Sequence, residues 1–195
     1  MLAPMTFARP RDRPETLADW NVVATVQSRA FVEACRTLEA FGTVARTGYY
    51  NVLVMKVADP RLLLETIAAR RRDLPSLLDS IGRLVPLTCC FDFETPDQFR
   101  TAAKSCALGF LAGLEGKSFH VRLHRRGLRG VLSSPDEERL LAEALLAALA
   151  ERGTPGRISF DDPDAVVVVE SVDTRAGLAI FTREDLARYP FFKPE

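Results

Sequence analysis

The sequence predicts an α+β protein of two successive domains, residues 19–94 and 95–195, behind a loose Pro/Arg leader over residues 1–18. Three observations carry this. Short β-branched runs such as Trp20–Val26 and Ala165–Glu170 alternate with stretches whose apolar residues recur at helical spacing. Capping signals that include proline (Asp59-Pro60, Thr95-Pro96-Asp97-Gln98 and Ser134-Pro135-Asp136-Glu137) open the helical stretches. No period of about 20–50 residues repeats, which excludes a solenoid.

In the first domain, Trp20–Val26 reads as a buried strand. Phe31, Ala34, Cys35, Leu38 and Phe41 then share one helix face, which Gly42 ends. Tyr49–Val57 is the second strand. The helix opened by Asp59-Pro60 carries Leu63, Leu64 and Ile67 inward and finishes in Arg70-Arg71-Arg72, where cations complement the helix dipole. A short helix over Ser76–Ile81 leads to a third strand, Arg83–Phe93, in which Pro86 marks an edge or a bulge.

In the second domain, the capping box at Thr95 starts a helix through Phe99, Ala103, Cys106, Phe110 and Leu114, closed by Gly113 and Gly116. Lys117–Arg126 alternates as a strand: Phe119, Val121 and Leu123 face one way, His120, Arg122 and His124 the other. A long helix follows from Ser134 to about Glu151. Ala165–Glu170 is a strand buried on both faces, paired through a turn at Asp173–Gly177 with Leu178–Phe181. Thr182 caps a last short helix that Pro190 ends.

Composition narrows the class. Apolar residues at 47% and charged residues at 27% exclude wholesale disorder. The longest uncharged run, Ser105–Leu114, is ten residues, against about 20 for a membrane span. Residues 1–18 lack the apolar centre of a signal peptide. Twenty-six basic side chains balance 26 acidic ones, which excludes a generic polyanion sponge but leaves local patches open. Arginine outnumbers lysine 22 to 4. GC-rich codon usage accounts for that ratio, and bidentate phosphate recognition is the functional alternative. Cys35, Cys89, Cys90 and Cys106 are too few for a disulfide scaffold and lack zinc-ligand spacing, so they are expected to pack in the core in a reducing, cytoplasmic setting.

Few constellations carry chemistry. Gly116-Lys117-Ser118 lacks the upstream glycine of a phosphate loop and lies between a helix and a strand, the reverse of that motif's context. Asp161, Asp162 and Asp164 are expected to form a turn around Pro163 rather than hold magnesium. No nucleophile and base are spaced for catalysis, so the expectation is a non-enzyme without cofactor or metal. Segment 117–130 differs. It holds Lys117, Arg122, Arg125, Arg126, Arg129, His120 and His124, and no acid. Like charges on one wet strand face repel, so such a run points to an anionic partner unless acids on adjacent strands, such as Glu170, neutralise it.

Phe119-His-Val121-Arg-Leu123-His-Arg125-Arg126-Gly127 resembles the FxVRxxRxG-type strand of THUMP domains. The preceding Phe110-Leu-Ala-Gly-Leu114-Glu-Gly-Lys117, the Val-rich strand after Pro163-Asp164 and Leu178-Ala-Ile-Phe181 extend the resemblance over residues 95–195. Residues 19–94 are similar in architecture to the ferredoxin-like domain that accompanies THUMP in tRNA-modifying proteins. The resemblance implies an N-terminal ferredoxin-like domain followed by a THUMP-type α/β domain with a mixed sheet. With the chain ending at Glu195, it further implies the stand-alone type. That type is a non-catalytic adaptor presenting the acceptor end of tRNA to a separate modifying enzyme, such as a cytidine acetyltransferase. RNA contacts are then expected from Lys117, Arg122, His124, Arg125, Arg126 and Arg129, with His120 adjacent and Arg70–Arg72 open. The alternative is a ferredoxin-like regulatory or scaffold protein that binds a small anion.

Overall fold

The computed structural model describes residues 17–189 and 191. Most of the leader and Pro190 lie outside the described residues. The described residues divide into two compact units, one formed by residues 17–88 with 186–189 and 191, the other by residues 89–185.

In the first unit, the alternating side-chain direction along β1 (Val22–Val26) sends Val22, Ala24 and Val26 into a core with Leu53, Met55 and Leu84 from neighbouring strands. Two helices cover that face, α1 (Phe31–Glu39) through Ala34 and Leu38, and α2 (Pro60–Asp73) through Leu63 and Ile67. Asp59 caps α2 as its sequence predicts, accepting from the amides of Arg61 at 2.8 Å and Leu62 at 3.1 Å. The remaining strands are β2 (Thr43–Arg46), β3 (Val52–Lys56) and β4 (Ile81–Pro86). Sheet order is β2-β3-β1-β4, every neighbour antiparallel. This β-α-β-β-α-β chain is the ferredoxin-like topology.

Two details differ from the sequence reading. β2 was not expected, because Thr-Val-Ala-Arg is a short edge strand with no fully buried residue to mark it. Gly42 does more than end α1. A Cβ there would lie 2.3 Å from the carbonyl oxygen of Lys56, so the chain can pass this point only without a side chain.

The expected strand Arg83–Phe93 is two strands in two sheets. β4 stops at Pro86, which brings no amide to extend its ladder, and β5 (Cys89–Asp92) joins the second sheet against β9 (Arg175–Thr182). That sheet runs β5-β9-β8-β6-β7, with β6 (Ser118–Arg126), β7 (Arg157–Ile158) and β8 (Ala165–Val172). β6 is parallel to β7 and β8, while β9 is antiparallel to β8 and β5, giving a mixed sheet.

Phe119, Val121 and Leu123 of β6, with Val167 and Val169 of β8, meet Phe99, Ala103 and Ala107 of α3 (Pro96–Leu108) and Leu141, Leu145 and Leu149 of α5 (Ser134–Glu151). The short α4 (Leu111–Leu114) adds Leu111 and Leu114. Thr95 and Gln98 form the expected cap of α3, the Gln98 amide donating to Thr95 Oγ1 at 3.2 Å. The second expected box does not close. Glu137 is buried in a two-pronged pair with Arg100 of α3, so it cannot reach back to the start of α5.

β7 pairs with only the first two residues of β6. Farther along that edge, Glu138 of α5 accepts from the Leu123 amide at 2.7 Å. Cys89 and Cys106 are joined in a disulfide that ties β5 to α3, correcting the expectation that both are free core thiols. The signal was invisible in sequence, since only the fold sets their Cα atoms 5.9 Å apart. The last helix, α6 (Arg183–Arg188), starts with Asp185 accepting from the Thr182 amide at 2.9 Å.

Candidate nucleic-acid interface

The alternation of β6 is as its sequence predicts, but its second face is not wet. His120 is 2% exposed, and its row neighbours on β8 (Val166, Val168, Glu170 and Val172) are equally buried. His120 Nδ1 donates to the Ser159 carbonyl at 3.0 Å, since a carbonyl can only accept. Arg122 and His124 are half-buried and both engaged. Arg126 pairs through Nη1 with the fully buried carboxylate of Glu170, which stands opposite His124 in the β6–β8 ladder, two positions before Arg126's own partner Val172. Neutralisation by an adjacent strand therefore operates at this position.

Three cations escape it. Arg125 turns its guanidinium to the Gly127 carbonyl and leaves Nε buried without an acceptor. Arg129 is exposed in the turn after β6, where Gly127, Leu128 and Gly130 all have positive φ. Lys117 is half-buried just before the strand. Among the described residues none of these three has a carboxylate partner. They do not form one patch. Lys117 precedes the strand and Arg125 and Arg129 lie at its far end, so roughly 25 Å of extended chain separates them at about 3.3 Å per residue.

Lys117 instead neighbours Arg157, whose amide donates to the Lys117 carbonyl at 3.1 Å. Asp164 latches the start of β6, accepting from the Ser118 hydroxyl at 2.6 Å and its amide at 2.9 Å. Those bonds, with Arg183 adding its charge, lower the Asp164 carboxyl from 3.8 to about 2. Asp162 pairs with Arg183 at 2.6 Å. Asp162 and Asp164 thus serve local structure. In the first unit, Arg70 lies over the Phe41 ring at 4.6 Å and Arg71 over Phe191 at 5.3 Å, which occupies two of the three arginines at the end of α2.

No family model matches the sequence, and no curated protein matches it. Solved structures do match. PH1313 from Pyrococcus horikoshii Ot3 aligns over 83% of this chain and 54% of its own, at 13% identity and a TM-score of 0.53. The fold is shared. TrmN from Thermus thermophilus aligns over 82% of this chain and 44% of its own, at 21% identity and TM-score 0.54. A 4-thiouridine synthetase solved with RNA and ATP gives 84%, 42%, 13% and 0.54 in the same order. This chain spans about half the length of these proteins.

The expectation of a non-enzyme is corrected here. The structural neighbours include that synthetase, a putative methyltransferase and a possible methylase, so proteins that share this fold include enzymes. The expectation rested on a missing nucleophile, base or metal cluster. In a stretch that matches about half of an enzyme, that lack is no guide to activity. Among the described residues, no helix is long and apolar enough to cross a membrane.

Proposed function

We propose that this chain is an RNA-binding module of the tRNA-modification apparatus. It holds tRNA by its acceptor end and offers it to a modifying active site, on a partner protein such as a cytidine acetyltransferase or on an appended domain. The observation that carries the reading is the pair Arg125 and Arg129, cations without a carboxylate partner among the described residues, at the end of the strand that resembles the THUMP motif and in the turn after it. The fold shared with an RNA-bound synthetase supports it. Such contacts position the RNA and carry little sequence information. A-form helices hide base edges in a deep groove, so shape dominates recognition. Lys117 and Arg122 add contacts elsewhere along β6. His124 and Arg126 act beside them, Arg126 chiefly by anchoring to Glu170. In this reading the site of action is the cytoplasm, where tRNA is modified.

The test is tRNA affinity measured against salt. Each phosphate neutralised contributes about 0.7–0.9 to the slope of log affinity on log salt. Arg125→Ala with Arg129→Ala is expected to weaken binding and flatten the slope by about one to two units. A folded double variant with unchanged affinity and slope removes this end of β6 from the interface.

A further inference from the structure

Phe160 is 72% exposed. Single exposed apolar residues are common and by themselves need no explanation. This one is held in place. One ring face stacks on the buried His120 imidazole, centroids 5.5 Å apart and planes 30° from parallel. His120 is in turn fixed to the Ser159 carbonyl. The Ser159 amide donates to the Phe119 carbonyl at 3.0 Å, and its hydroxyl to the Asp161 carbonyl at 2.7 Å. The other ring face is left to solvent at the edge of the sheet, beside β7.

The charges around it are asymmetric. Arg157 stands opposite Ser118 in the parallel register, which puts it on the row of His120 and hence on the side of the Phe160 ring. Lys117 is its backbone neighbour. Neither cation has a carboxylate partner among the described residues. Nearby acids are mostly committed: Asp162 to Arg183, Asp164 to Ser118 and Arg183, Glu115 to Arg152. Asp161 alone remains exposed without an ion pair.

We propose that Phe160 is a stacking platform for an unpaired RNA base, with Arg157 and Lys117 taking the flanking phosphates. This rests on the RNA-binding reading above and adds a second contact at the opposite end of β6. A preordered aromatic face suits any base, because every base has a π-face. With Asp161 offsetting one of the two cations, stacking carries more of the contact than charge does.

The experiment uses the full chain and two RNA hairpins of identical stem, one blunt-ended and one with an unpaired tail, followed by fluorescence anisotropy at several salt concentrations. Phe160→Ala is expected to weaken binding of the tailed RNA about tenfold, to leave the blunt RNA unchanged and to leave the salt slope unchanged. Phe160→Trp is expected to retain tight binding. Arg157→Ala is expected to flatten the slope on the tailed RNA by about 0.7. If Phe160→Ala binds the tailed RNA like the wild type, or loses equally on both RNAs, the platform is refuted while the RNA-binding reading stands. If the wild-type chain binds neither RNA, both fall.

Discussion

Arg126 on β6 and Glu170 on β8 form an ion pair whose carboxylate is fully buried, with the guanidinium only 15% exposed. The pair crosses the parallel ladder at the end of the strand that carries the motif. A buried charge is tolerable only while its partner is present. Arg126→Ala removes one charge partner of the buried Glu170 carboxylate and is therefore expected to cost up to about 3 kcal/mol. Arg129→Ala, on an exposed turn, is expected to change stability by less than about 0.5 kcal/mol. Urea unfolding of both variants checks this. Equal effects would show that Arg126 is a surface cation like its neighbour.

Gly42 offers a second check on packing. An alanine methyl there must displace the Lys56 carbonyl, which belongs to β3 and has no freedom to rotate away. Gly42→Ala is expected to destabilise the protein by about 1–3 kcal/mol, the usual range for overpacking. A shift in the urea midpoint without a change of slope is the expected signature. A neutral variant would mean that the α1–β2 turn relaxes freely.

Asp164 makes the fold sensitive to acid. Its carboxyl is held near 2 in the folded chain by Ser118 and Arg183, below its ordinary 3.8. A depressed carboxyl contributes stability above its unfolded value and loses it as pH falls through the folded one. Stability is thus expected to fall between about pH 4 and pH 2, and Asp164→Asn is expected to flatten that limb. Thermal melts across this range measure it. A limb of unchanged steepness in the variant assigns the acid sensitivity to other groups.

The Cys89–Cys106 bond spans 17 residues of sequence and closes β5 onto α3. A loop of that length stabilises by about 3 kcal/mol in the chain-entropy account. Oxidised protein is expected to show two titratable thiols, Cys35 and Cys90, and reduced protein four, with a lower melting temperature. Four thiols in carefully oxidised protein would show that the two sulfurs do not join.

What could be read from the sequence was local. Asp59 before Pro60, and Thr95 three positions before Gln98, are caps because a side chain reaches an amide within one turn. The alternation along β6 was equally legible, since strand geometry alone sorts Phe119 from His120. What the other face of β6 meets is not local. That Glu170 meets Arg126 depends on a parallel register 44 residues away in sequence, and that Glu137 meets Arg100 depends on helix packing across 37. The same limit hid the break at Pro86, where one extended run supplies strands to two sheets. The candidate site is a charge pattern in the sequence and not a surface. Lys117 and Arg125 lie in one run of sequence but at opposite ends of a strand, and Phe160 had no neighbour in sequence to announce it.

Glu138 has a consequence for solubility. Beyond Phe119, β6 no longer pairs with β7, and a long strand with an open edge invites pairing with another molecule. By occupying the Leu123 amide, the Glu138 carboxylate removes one of the donors that an incoming strand would use and puts a negative charge where its backbone would lie. One helix side chain thereby guards the molecule that carries this strand against self-templated aggregation.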